Sequence, residues 1–242
     1  MPIATTVKQT YKMEKSSYLW HGVFSKINIP TDGTVVEVAP GYEPKIGNAL
    51  ALLGFRGTIF LIEPDKEAAA HLKKIYQQVL PKATVKTIVK TLGKVRPDED
   101  IPKNIDALVA SHPFDDMVIA QLINKDDFFT TEATDGELLS PAIKQIYDSI
   151  KNKDYARGVK MATLEWKDSI KRLKPKYFID SQYPSHSLTI KGLIKRQESG
   201  YTVLNKLKSI YEKHAISLHQ EQLFGFKGNP KWWIVIKNPS QV

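Results

Sequence analysis

Residues 34–67 read TVVEVAPGYEPKIGNALALLGFRGTIFLIEPDKE. Val35, Val36 and Val38 around Glu37 make a β-branched, apolar run that suits a buried strand ending in a carboxylate. Ala39, Pro40 and Gly41 break that strand, and Ile46 to Leu53 supply a helical apolar face. Gly54 and Gly57 punctuate the end of the helix. Residues 58–62 form a second strand with Glu63 at its tip, followed by Pro64 and Asp65. In a parallel α/β unit the ligand lies outside the carboxyl ends of the strands. This stretch therefore puts a small-residue turn and two acids, Glu37 and Glu63, at that edge. A carboxylate accepts two hydroxyl hydrogen bonds, so Glu63 suits a ribose diol.

Outward from this unit, strands and helices alternate. Strands are expected at 35–39, 58–62, 84–89 and 105–110, with helices at 43–53, 65–79 and 115–123. Such alternation predicts a parallel sheet with helices on both faces. Asp65 is placed to cap the helix behind it, and Glu67 adds a favourable charge there. Residues 124–173 break the rhythm with polar turns and two helical segments, near 140–151 and 153–173. They read either as a lid over the ligand edge or as plain helical packing on the sheet. A strand at 176–179, a helix at 200–214 and strands at 216–224 and 232–237 complete the chain, the last two joined by a turn at 225–230. Residues 1–32 read as a helical lead-in, with a helix over 5–28, and 33–242 as one domain carrying the 124–173 insertion.

Composition narrows the function classes. The chain has 242 residues, 42% hydrophobic and 25% charged, in the ordinary globular range. No run approaches the roughly 18 apolar residues of a membrane span, and the first residues lack the apolar core of a signal peptide. Cys is absent, which excludes disulfides and thiolate metal sites, and a cytoplasmic location is expected. There is no HExxH, no phosphate-binding GxxxxGK[ST] and no GxSxG, so no metal is expected and neither a nucleoside triphosphatase nor a serine hydrolase is indicated. The net charge of +9 permits affinity for a nucleic acid or another anion, but the Lys and Arg residues form no block of five or six.

The order of elements resembles that of class I S-adenosylmethionine-dependent methyltransferases over roughly residues 33–237. VVEVAPGYE (35–43) is similar to their first motif, where an acid ends the strand and small residues let the backbone approach the cofactor's amino-acid part. LIEPD (61–65) is similar to the second, whose acid holds the ribose, and Glu63 stands 22 residues after Gly41. IDALVASHPFDD (105–116) resembles the fourth motif of amine-directed members, with Ser111, His112, Pro113 and Phe114 as its tetrad.

The resemblance implies an α/β, doubly wound fold: a mostly parallel seven-stranded sheet with an antiparallel C-terminal hairpin and the helical insertion. It implies S-adenosylmethionine as cofactor, bound by Glu37, Ala39, Pro40, Gly41, Glu63, Pro64 and Ser111. It implies Ser111, His112 and Phe114 as the catalytic group, orienting a nitrogen of a small-molecule or peptide acceptor. His112 reads either as a proton acceptor or as a structural donor in its turn. Asp115 and Asp116 either favour the helix start or attract a cationic amine. Tyr183 and His186, after the fifth strand, are further acceptor-pocket candidates.

Two departures stand out. Only Gly41 remains of the first motif's glycines, with Ala39 and Glu43 at the other positions. No acid directly follows the third strand, where an adenine-contacting acid often lies; Thr91 is there, and Asp98, Glu99 and Asp100 come later. Transfer of an aminocarboxypropyl or aminopropyl group, a non-catalytic binding protein of the same fold, and an NAD enzyme are the rival readings.

Overall fold

The computed structural model describes residues 15–123, 155–184, 193–219 and 229–239. Six strands form one sheet: β1 (Thr34–Val38), β2 (Thr58–Ile62), β3 (Thr84–Ile88), β4 (Ala107–Ser111), β5 (Tyr177–Ser181) and β6 (Trp233–Lys237). Their order is β3-β2-β1-β4-β5-β6. All neighbours pair in parallel except β5 and β6, which are antiparallel. The chain leaves β1 for β2 on one side and later enters β4 on the other, so the strand order reverses between β1 and β4. That reversal opens a crevice at the carboxyl ends of the strands.

The seven strands expected from the sequence are six among the described residues. Where the extra strand was expected, Ala215 bridges Ile236 in antiparallel sense and the Ile216 N–H donates to the Val235 carbonyl at 2.7 Å. The ladder does not continue through the described residues up to 219, and 220–228 lie outside them. The antiparallel close of the sheet stands, carried by β6 against β5.

Six α-helices are described: α1 (Lys15–Ile27), α2 (Lys45–Leu52), α3 (Lys66–Val79), α4 (Phe114–Leu122), α5 (Tyr155–Leu173) and α6 (Ile194–Ile210). Alternate strand residues feed two cores, as a sheet buried on both faces requires. Val35, Ile59 and Val109 pack with Ile46, Leu72 and Tyr76 under α1, α2 and α3. Val36, Phe60 and Leu108 pack with Val118, Trp166 and Leu204 under α4, α5 and α6. The lead-in helix is part of the first core: Trp20 and Phe24 are fully buried, and the Trp20 ring centroid lies 4.9 Å from that of Trp233.

Helix α6 begins at Ile194, although the sequence suggested a start near Gly200. Gly200 lies inside it for a packing reason. A Cβ there would sit 2.8 Å from Gln182 Nε2 and 3.1 Å from the Asp115 amide nitrogen. Of the two helices expected in the insertion, 140–151 lies outside the described residues. The second is α5, anchored by the fully buried Trp166, whose ring lies 5.2 Å from Phe178 on β5.

Candidate cofactor and acceptor site

The register brings the ends of β1, β2 and β4 level: Val38 pairs with Ile62 and with Ala110. The residues that follow therefore emerge side by side at the crevice. Ala39 has φ of 51° and Gly41 φ of 69°, so the chain turns through left-handed conformations immediately beyond β1. For Ala39 this costs on the order of 1 kcal/mol, a strain that persists because the Ala39 N–H is held by the Ile62 carbonyl at 2.9 Å. A Cβ added at Gly41 would meet nothing within 4 Å, so open space adjoins the turn.

The Gly41 N–H reaches Glu63 Oε2 at 3.4 Å, and the Asp65 N–H donates to Glu63 Oε1 at 3.1 Å. One carboxylate thus ties the turn after β1 to the turn after β2. Glu63 is nearly buried, and burial pushes its pKa up to about 7 against the pull of those two N–H groups. Asp65 does cap α3: its Oδ1 accepts from the Glu67 and Ala68 N–H groups at 2.7 and 3.0 Å.

A cleft opens above these turns. Ala39, Gly41, Tyr42, Glu63 and Pro64 form one wall, Thr91 and Leu92 after β3 close one end, and Pro113 and α4 form the opposite wall. Met117, Ala120 and Gln121 face it from α4, and Glu165 from α5. Glu37 and Pro40, though expected in the site, do not line it. Glu37 alternates with Val36 and Val38 and points beneath the sheet. It is fully buried, accepts the Tyr76 hydroxyl proton at 2.6 Å, and is pushed by burial up to about 8. Tyr76 Oη in turn accepts from the Gly47 N–H at 3.3 Å, so Glu37 clamps α2 and α3 to β1.

The tetrad after β4 divides. Pro113 lines the cleft, whereas Ser111, His112 and Phe114 do not. The Phe114 ring is fully buried and meets Trp166 edge-on, with centroids 5.6 Å apart, so the aromatic expected to stack on an acceptor is a core group. Ser111 Oγ is buried without a hydrogen-bond partner, next to Ser181, whose Oγ is in the same condition. His112, with φ of 67°, is held from both sides: Nδ1 lies 3.2 Å from Asp115 Oδ1, and Nε2 lies 2.6 Å from the Tyr183 carbonyl. Asp115 and the Tyr183 carbonyl only accept, an arrangement that favours the doubly protonated ring, while the Gln182 amide nitrogen lies 3.3 Å from Nε2. Burial works against that charge, but Asp115 overrides it and raises the His112 pKa. His112 is thus engaged on both sides by Asp115 and the Tyr183 carbonyl, outside the cleft lining.

Asp115 and Asp116 also find a cation, though not a substrate. Arg196 of α6 pairs with both, at 3.1 Å from Asp115 Oδ2. Gln182 completes this network, donating to Asp115 Oδ1 at 2.9 Å and accepting from the Phe114 N–H at 3.2 Å. Tyr183 stacks beside His112, while His186 lies outside the described residues. Tyr76, Gln121, Glu165, Gln182 and Arg196 were not singled out from the sequence. The α4 residues had a signal, because Met117 and Gln121 are one turn apart on a helix that follows the tetrad. Among the described residues no cluster of His, Asp or Glu could hold a metal ion, and no helix is long and apolar enough to cross a membrane.

No protein-family model matches the chain, and no curated protein matches it. Solved structures do resemble it. A putative methyltransferase from Thermoplasma acidophilum is 18% identical over 39% of this chain and 41% of its own, with a TM-score of 0.29. The glycopeptide N-methyltransferase MtfA in complex with S-adenosyl-L-methionine is 15% identical over 77% of this chain and 62% of its own, with a TM-score of 0.37. The methyltransferase domain of a bacterial Hen1, CtHen1-CN, is 11% identical over 93% of this chain and all of its own, with a TM-score of 0.47. The chain thus spans less than two thirds of the first two of these proteins. Likeness at this level adds no detail to the site.

Proposed function

We propose that this chain is an S-adenosylmethionine-dependent methyltransferase acting on a nitrogen of a small or medium acceptor, a small molecule or a peptide. One observation carries the reading: the Gly41 N–H bond to Glu63 joins the two cofactor-type motifs across an open cleft at the strand-order reversal. In the proposal Glu63 receives the two ribose hydroxyls, and the strained 39–41 turn brings its backbone against the methionyl part. Ile62, Leu92, Met117 and Ala120 offer apolar walls to a flat ring.

Bound S-adenosylmethionine supplies a methyl group already attached to a good leaving group, a sulfonium. Glu63 and the 39–41 turn would hold it, and an acceptor nitrogen that took the methyl group would lose its proton to solvent as the sulfur left as a thioether. The protein then contributes position and exclusion of water rather than a strong base. This suits a site in which His112 is engaged by Asp115 and the Tyr183 carbonyl rather than facing the cleft. The Ser111 hydroxyl is buried at the end of β4 outside the cleft lining, so Pro113 is the tetrad residue that meets the cleft. The Asp115, Gln182 and Arg196 network fixes that tetrad.

A thermal-shift series tests the reading, because ligands that bind only the folded state raise the melting temperature. S-adenosylmethionine and S-adenosylhomocysteine should raise it; NAD and ATP should not. Turnover with an amine panel should release S-adenosylhomocysteine, whereas methylthioadenosine would indicate aminocarboxypropyl transfer. A shift with NAD alone would overturn the proposal.

A further inference from the structure

The net charge of +9 has no linear block behind it, yet the fold assembles one. Lys160, Leu164, Lys167 and Lys171 recur every three or four residues along α5 and so share one face of the helix. All four are exposed, and Lys174, exposed in the left-handed turn that ends α5, continues the line. Arg157 begins it and has a partner of its own. Lys160, Lys167, Lys171 and Lys174 have no hydrogen bond or ion pair with another side chain among the described residues. Trp166, Ile170 and Leu173 carry the buried face of α5 into the core, so the line of cations looks outward. The exposed acid of α5, Asp168, acts on Arg172 and Tyr211, to one side of the line.

The positive surface extends beyond the helix. The turn at 92–95 packs against α5, where Arg172 donates to the Leu92 and Val95 carbonyls at 3.0 and 3.1 Å. Lys94 and Arg96, both exposed, are carried on this segment, so the basic surface runs from α5 to the rim of the cleft at Leu92.

We infer that the lysine line on α5 is a docking surface for the phosphate backbone of a nucleic acid. From 160 to 174 it spans about 21 Å at the helical rise, over which a duplex presents roughly twelve phosphate charges. Lysine ammonium groups meet phosphates as point charges and need no set geometry. Lysine is by contrast depleted from protein–protein interfaces, which are built around aromatic and apolar centres. A lipid surface fits no better: Leu164, 47% exposed, is the one large apolar side chain exposed on α5, because the apolar face of the helix is occupied by the core. The inference stands apart from the cofactor reading, since none of these lysines lines the cleft. Trp166 and Ile170, both fully buried, hold α5 in place, so the charges are presented from a rigid element.

Fluorescence anisotropy of the full chain with a labelled short DNA duplex, read across a salt series, tests this. Four phosphate contacts give log K a slope against log salt of about −3.6 or steeper, which is about 100-fold in affinity between roughly 50 and 200 mM salt. The combined variant Lys160→Gln, Lys167→Gln, Lys171→Gln and Lys174→Gln should lose about that much of the slope and bind at least about tenfold more weakly at about 50 mM salt. A control with the same loss of charge on and after α3, Lys66→Gln, Lys73→Gln, Lys74→Gln and Lys82→Gln, should keep the parent's slope. Where the α5 variant melts below the parent, the pair Lys160→Gln and Lys167→Gln replaces it, with a slope shallower by about 2. No binding at about 50 mM salt, an unchanged slope in the α5 variant or an equal loss in the control overturns the inference. So does tighter binding to phosphatidylserine vesicles or to a polyglutamate peptide than to the duplex.

Discussion

Replacing Glu63 by Gln removes a charge and one acceptor while keeping shape. The carboxylate already serves the Gly41 and Asp65 N–H groups, one on each oxygen. In the liganded protein it would also receive two ribose hydroxyls, each a charge-assisted bond worth about 1.5–3 kcal/mol. A neutral amide keeps one ordinary acceptor, and its nitrogen faces an N–H group. The net loss is therefore about 2–4 kcal/mol, or roughly 30- to 1,000-fold in affinity for S-adenosylhomocysteine. The pH dependence is a second signature. With its pKa raised to about 7, Glu63 is largely protonated at pH 6 and ionised at pH 8. Affinity of the unaltered protein should climb across that range, and that of Glu63→Gln should be flat. Isothermal titration at pH 6, 7 and 8 reads both effects. A variant that binds within about threefold of the parent, with a parent that shows no pH dependence, would refute the assignment of Glu63 to the ribose.

Further outcomes concern the scaffold. Glu37 and Glu63 have pKa values raised from 4.5 to about 8 and about 7, so the native state holds their protons more tightly than the unfolded chain. Their stabilising contribution is complete below about pH 4.5 and is lost as pH rises through 7 and 8, up to about 5 kcal/mol for Glu37. Urea unfolding of the unliganded protein should show Glu37→Gln gaining stability relative to the parent between pH 6 and 8.5; an unchanged difference would refute the burial argument. Phe114→Ala should lower stability by about 3–5 kcal/mol, because a fully buried ring is removed from the face of Trp166. A fully stable Phe114→Ala with impaired turnover would return that ring to the acceptor site. Gly57→Ala should unfold the protein or lower its melting temperature sharply, since a Cβ would lie 2.0 Å from the Gly33 carbonyl oxygen; a variant melting at the parent's temperature would show that this turn can relax.

The stretch over 34–67 was legible because local and global preferences agree in it. β-branched strands, a Pro-Gly turn, a capped helix and a strand-end acid follow one another at the spacing of a βαβ unit. Glu63 could be assigned to the cleft from sequence because the residue after a parallel strand has one edge to emerge at. Glu37, two residues before the break, could not, since the alternation within β1 turns it to the opposite face from Val36 and Val38. The same limit applied to Phe114: a motif places the residue, but the space beside Trp166, a residue from a distant helix, decides where its ring goes. Glu165 and Arg196 reach the site from α5 and α6 through contacts more than forty residues apart in sequence, which no local pattern encodes. The start of α6 was expected at Gly200, whereas the helix runs from Ile194 and the missing Cβ of Gly200 lets it approach Gln182.

The central claim is that Glu63 and the 39–41 turn together hold an adenosyl sulfur compound. A crystal structure with S-adenosyl-L-homocysteine tests it most directly. The account predicts both ribose hydroxyls on Glu63, the amino-acid tail along the 39–41 backbone and the base between the apolar walls of Leu92 and Met117. A ligand bound elsewhere, or a cleft that stays closed to it at saturating concentration, would contradict it.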